Sequence, residues 1–79
     1  MASFIDSNVL IYAEASDEPA KQYAALALLS RLKLDAEGVI STQVLQEFAN
    51  VALRKMGLNA AHVRAQLAAH EQFEVVQVT

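Results

Sequence analysis

The sequence predicts an α/β fold built around a parallel β-sheet. Three short apolar segments, at 3–6, 39–40 and 73–78, have the length and β-branched character of strands. Each segment between them is long enough to hold two helices, and strands joined by helical crossovers pair in parallel with a right-handed connection. We therefore expect a three-layer α/β/α arrangement.

The first strand ends on Asp6 and runs into a short helix. Ser7 and Asn8 follow, and their side-chain oxygens can cap the free N–H groups of a first helical turn. The apolar run then resumes, which predicts a brief helix ending at 12–14.

The second helix is predicted from Ala20 to Lys33, with Pro19 suited to its first turn. Its apolar residues keep helical spacing over four turns. The segment 35–38 contains turn residues and ends this helix, so that a second strand begins at Val39.

The second strand is followed by two further helices. Ser41 or Thr42 is expected to cap a helix running to about Met56, and Gly57 is suited to the left-handed conformation that ends a helix. Asn59 then caps a helix reaching about residue 70. The third strand follows at 73–78.

Composition limits the functional classes. The 79 residues are 54% apolar, a high fraction for a small domain, which has too much surface to bury so many apolar side chains. We therefore expect either that a partner chain covers them or that the chain is part of a larger fold. There are no cysteines and hence no thiolate metal site, which fits the cytoplasm. Neither a secretory leader nor a membrane span is predicted. The net charge of −3 is unlike that of a general nucleic-acid binder, so any such role requires a local site with metal ions.

Two carboxylates are the main candidates for chemistry. Asp6 follows a buried strand, where open α/β folds place their sites, although simple helix capping explains it equally well. Glu47 lies on the third helix in a polar stripe with Gln43, Asn50 and Arg54, for which a solvated face is the plainer interpretation. Parallel topology brings both carboxylates to one cleft, where they would suit Mg²⁺.

The remaining polar residues are weaker candidates. Asn8 could orient Asp6, although capping explains it as well. His62 and His70 have no cysteine partners, and we expect both at the surface.

Residues 4–13 (FIDSNVLIYA) together with 39–48 (VISTQVLQEF) resemble the PIN domain family, in particular its small bacterial toxin members. The resemblance covers the whole chain and implies a ribonuclease that depends on Mg²⁺ or Mn²⁺. It makes Asp6 and Glu47 catalytic, metal-binding residues and Asn8 a supporting residue. The RNA-binding residues stay open. An antitoxin protein is an expected partner.

The family continues beyond the third strand with another helix and two strands that carry further aspartates. The resemblance therefore implies that residues 1–79 form the N-terminal part of one PIN-like domain, truncated after the third strand. We expect an incomplete site, little activity from these residues alone, and a homodimer or higher oligomer that covers exposed edges. Two alternatives stay open: a non-catalytic assembly or antitoxin-binding module, and a phosphotransferase of the haloacid dehalogenase type with Asp6 as nucleophile.

Overall fold

The computed structural model describes residues 2–77. The elements in chain order are β1 (Ser3–Phe4), α1 (Ser7–Ala13), α2 (Pro19–Leu34), β2 (Gly38–Ser41), α3 (Thr42–Arg54), α4 (Ala60–His70) and β3 (Glu74–Val76). The predicted order of strands and helices is confirmed, with boundaries that differ by a few residues. The last residue predicted for the third strand, Val78, lies outside the described part of the chain.

The three strands form a parallel sheet in the order β1-β2-β3, which confirms the α/β class. Because this order advances in one direction, right-handed crossovers put both helix pairs on the same face. The core agrees: buried residues from all four helices pack with Ile5 and Ile40 on that face. On the opposite face Phe4 is 75% exposed. Residues 2–77 thus supply the sheet and one helical layer of the expected three-layer α/β/α arrangement.

Helix α3 is the centre of the core. Its side chains Leu45, Phe48 and Ala52 are buried, and Phe48 is fully enclosed. They recur at intervals of three and four residues, so they form one apolar stripe and leave the opposite side of the helix to polar residues. The position of α3 relative to the sheet is therefore fixed by its buried stripe.

Three helices begin at a side-chain cap. Asp6, in extended backbone, caps α1 by accepting the N–H of Asn8 at 2.9 Å, which confirms the capping interpretation of Asp6. The prediction that Ser7 or Asn8 is the cap is wrong. The reason is that Ser7 already has helical geometry. Ser41 caps α3 and Asn59 caps α4, as predicted.

The end of α3 also follows the prediction. Gly57 has a φ of +64°, which is the left-handed region that glycine enters without steric cost. The N–H of Leu58 then donates to the carbonyl of Ala52 at 2.9 Å, so this carbonyl of the last turn is satisfied.

Candidate acidic site

Asp6 lies at the carboxyl end of β1, between the strand and α1. Its side chain is exposed, and its Oδ1 accepts the backbone N–H of Asn8. Asp6 is thus both a helix cap and a carboxylate open to solvent. Asn8 supports it through the main chain, so the contact does not depend on the Asn8 side chain.

Glu47 lies on α3, on the side opposite the buried stripe. The next residue, Phe48, is fully buried and holds this turn of the helix against the core. Glu47 itself is exposed, as are Gln43, Asn50 and Arg54, so the predicted polar stripe does face solvent. The rigid core therefore presents Glu47 from a fixed helix.

Ser7 joins the two carboxylates. Its Oγ lies 3.4 Å from Oδ1 of Asp6 and 3.3 Å from Oε2 of Glu47. The two carboxylates, forty-one residues apart in sequence, thus meet around one hydroxyl. A serine hydroxyl has a single proton, so it can donate to only one of them at a time. The sequence indicates Ser7 only as a helix cap, because no local pattern predicts its contact with Glu47.

The donor set of this acidic site suits a hard divalent cation. Mg²⁺ prefers oxygen ligands and is commonly held by one or two protein carboxylates together with waters and substrate phosphates. Asp6 and Glu47 supply two such carboxylates, both exposed to solvent. Within residues 2–77, no group of three His, Cys, Asp or Glu side chains is close enough to hold a metal ion.

A polar cavity of about 400 Å³ lies at the first turn of α3, the helix that carries Glu47. Thr42 and Gln43 from the first turn of α3 line it, together with Gln46 and Gln77. Gln77 comes directly after β3. No sequence pattern predicts that Gln46 and Gln77 line a cavity, because the cavity forms only when β2 pairs with β3.

The histidines differ in environment. His62 is exposed and pairs with Glu14 at 3.0 Å, as expected for a surface residue. His70 is only 6% exposed, so the expectation that it lies at the surface is wrong. It packs edge-on against Phe48, with ring centroids 5.2 Å apart, because it shares a face of α4 with the buried Val63.

Burial lowers the pKa of His70 below its usual value. The carboxylate of Glu14 opposes this shift, and the ammonium of Lys33 adds to it. Nε2 of His70 has no hydrogen-bond partner among the described residues. Burial therefore favours the neutral ring, since protonation of His70 would place a positive charge in the core.

A second, apolar groove lies between α1 and α2. It has a volume of about 230 Å³ and is lined by Val9, Tyr12, Lys21, Ala24, Ala25 and Leu28. Lys21 sits 5.0 Å from the centre of the Tyr12 ring and 3.3 Å from a carboxylate oxygen of Glu18. The charged end of Lys21 is thus held at the rim.

No helix within residues 2–77 is long and apolar enough to cross a bilayer. No curated protein and no solved structure gives a significant match to the chain. A protein-family model described as PIN domain matches residues 3–79.

Proposed function

The chain belongs to the PIN domain family, whose members are typically nucleases, and on that premise we propose that it serves a metal-dependent endoribonuclease with Asp6 and Glu47 at its reacting centre. The observation that carries this proposal is the meeting of the two carboxylates at the hydroxyl of Ser7. A solvated helix face and an isolated helix cap would not require them to converge.

In this proposal Asp6 and Glu47 hold Mg²⁺ or Mn²⁺. Such an ion, when bound, neutralises charge on a phosphodiester and makes a water molecule a better nucleophile at neutral pH. The chain supplies rigid placement: the Asn8 N–H fixes Asp6, and the buried Phe48 fixes the helix turn that carries Glu47. The hydroxyl of Ser7 lies between the two carboxylates and can donate its proton to either of them.

The chain has a net charge of −3, and a cation held by Asp6 and Glu47 would offset the local negative charge that repels an RNA backbone. Two carboxylates alone hold Mg²⁺ weakly. We propose that further acidic ligands come from outside residues 2–77 and that this part of the chain alone has little activity.

The test compares Glu47→Gln with Glu71→Gln, an equally exposed glutamate at the end of α4. RNA cleavage by the full-length gene product with Mg²⁺ or Mn²⁺ should fall more than about 100-fold for Glu47→Gln, beyond what changes around a ligand usually cost. It should not change for Glu71→Gln. Circular dichroism must show that both variants stay folded. Undiminished cleavage by Glu47→Gln would remove Glu47 from the site.

The α1–α2 groove favours a second role beside catalysis. Its lining is almost entirely apolar, and Leu28, which lines it, is 42% exposed. We propose that α1 and α2 form an assembly surface for a second copy of this chain or for an apolar helix of an antitoxin. Binding of an antitoxin helix at this surface would make the protein the toxin of a toxin–antitoxin pair.

Light scattering of the chain tests this role. Leu28→Glu puts a charge into the groove and should convert a dimer into a monomer, whereas Leu34→Glu, at a residue 86% exposed, should not. A wild-type chain that is monomeric at high concentration would argue against self-association.

A further inference from the structure

The polar cavity at the first turn of α3 is a candidate binding site in its own right. We define it as the amide pocket, lined by Thr42, Gln43, Gln46 and Gln77. The three glutamines are all exposed, and each amide both donates and accepts hydrogen bonds. Its volume of about 400 Å³ falls within the range of small-molecule sites.

The amide pocket and the acidic site both lie at the carboxyl ends of the strands. Asp6 follows β1, Thr42 follows β2 and Gln77 follows β3. Ser41 and Val76, the last residues of β2 and β3, are paired in register, so the pocket lies at the carboxyl ends of these two strands. Since β2 is the central strand, the acidic site and the pocket are neighbours.

Helix α3 connects the two sites directly. Gln43 lines the pocket, and Glu47 is four residues later on the same helix. Residues at this spacing are neighbours on a helix surface, about 5–6 Å apart at their Cβ atoms. A strand with one phosphodiester at Glu47 therefore reaches the pocket with an adjacent group.

The chemistry of the pocket favours a nucleobase over a phosphate, because its amides offer both donors and acceptors whereas a phosphate only accepts. None of its lining residues is charged, and the chain as a whole is acidic. Arg54 and Lys55 lie at the other end of α3. The uncharged part of an RNA strand is its bases, and a glutamine amide pairs bidentately with the N6 and N7 atoms of adenine.

We propose that the amide pocket binds an unpaired base of the RNA strand, with adenine preferred, next to the phosphodiester held at Asp6 and Glu47. This inference rests on the proposed ribonuclease function for its substrate. It assigns Gln43, Gln46 and Gln77 the role of reading the base, which makes them determinants of cleavage position.

The test is a nuclear magnetic resonance titration of the full ¹⁵N-labelled chain with adenosine 5′-monophosphate, cytidine 5′-monophosphate, ribose 5-phosphate and inorganic phosphate. The side-chain NH₂ signals of Gln43, Gln46 and Gln77 should shift saturably with the adenine nucleotide. They should shift less with the cytosine nucleotide and not with the two base-free compounds. Gln22, whose amide donates to the carbonyl of Ala13 at 3.0 Å, is an internal control.

Substitution by methionine removes the amide but keeps the side-chain length. Gln43→Met should weaken binding of the adenine nucleotide by about tenfold, within the discrimination of a good amide–adenine pair. Gln72→Met is the control, because Gln72 precedes β3 and therefore lies at the amino end of the strand, whereas the pocket lies at the carboxyl end. Equal shifts with inorganic phosphate, no shift of the three glutamines, or an unchanged affinity in Gln43→Met would overturn the proposal.

The ribonuclease proposal and the amide-pocket proposal can be refuted independently of each other. Glu47→Gln should keep nucleotide binding in the pocket while RNA cleavage is lost. Nucleotide binding without any RNA cleavage by the wild-type full-length product would support the pocket and refute the nuclease. Cleavage without pocket shifts would refute the pocket alone.

Discussion

Asp6 has two roles in the account above, and two substitutions at this position separate them. Asp6→Ala removes the acceptor of the Asn8 N–H, whereas Asp6→Asn keeps an acceptor oxygen, since asparagine caps helices as well as aspartate does. Both variants remove the negative charge. The difference in stability between them therefore measures the cap, and any shared loss of function measures the carboxylate.

The expected size of the capping effect follows from the local structure. Loss of an N-cap costs about 0.5–2 kcal/mol, typically about 1 kcal/mol. Helix α1 has only seven residues and carries the fully buried Leu10, so the typical value or more applies. For a domain of this size, about 1 kcal/mol lowers the melting temperature by about 4–8 °C. Asp6→Ala should melt lower than Asp6→Asn by that amount.

Asn59 provides the matched control. Its Oδ1 accepts the N–H of Ala61 at 2.7 Å and caps α4, and it is not among the residues around Ser7. Asn59→Ala should lose about the same stability as the cap of α1, typically about 1 kcal/mol. It should leave Mn²⁺ binding and RNA cleavage unchanged.

Thermal unfolding by circular dichroism, Mn²⁺ binding by electron paramagnetic resonance and RNA cleavage together decide the outcome. Both Asp6 variants should lose Mn²⁺ binding and cleavage. Wild-type behaviour of Asp6→Asn in these two assays would leave Asp6 as a helix cap only. Equal melting temperatures for Asp6→Ala and Asp6→Asn would refute the capping argument.

Three further predictions concern the core. Phe48→Ala should cost about 3–5 kcal/mol in urea unfolding, whereas Leu53→Ala, at a residue 44% exposed, should cost far less; similar losses would contradict the assigned burial. Because the pKa of His70 is lowered in the folded state, the unfolded chain binds its proton first, and the stability present above about pH 6.5 should fall below that pH. His70→Leu should flatten this dependence between about pH 5 and 7, and an unchanged slope would refute the assignment. Gly38→Ala should cost about 1–3 kcal/mol, since a Cβ at residue 38 would come within 2.8 Å of Cε1 of Phe73; unchanged urea unfolding would show that the ring moves aside.

The sequence contains most of the information on the fold because its signals are local. Gly57 at the end of α3 and Asn59 at the start of α4 are end signals that act within one or two turns, and the structure confirms both. Asp6, Ser7 and Asn8 are all residue types that cap helices, and the composition of the turn does not determine the backbone angles that make Asp6 the cap.

The contacts of the candidate site are not local. The hydroxyl of Ser7 meets Glu47 only because α1 and α3 pack together, and no pattern along the chain specifies that distance. Histidine is a polar residue type that is expected at the surface, yet His70 lies on the face of α4 that it shares with Val63 and that packs toward α3. Gln77 enters the amide pocket through strand pairing. Such outcomes need the tertiary arrangement.

Phe48 connects the acidic site to the end of α4. Its ring touches His70 at the end of α4, and its backbone is joined to Glu47. Close-packed interiors do not absorb displacement locally. Drift in the sequence of α4 can therefore adjust the spacing of the acidic pair by fractions of an ångström, so that closely related proteins could differ in catalytic efficiency while every residue of their reacting centres is identical.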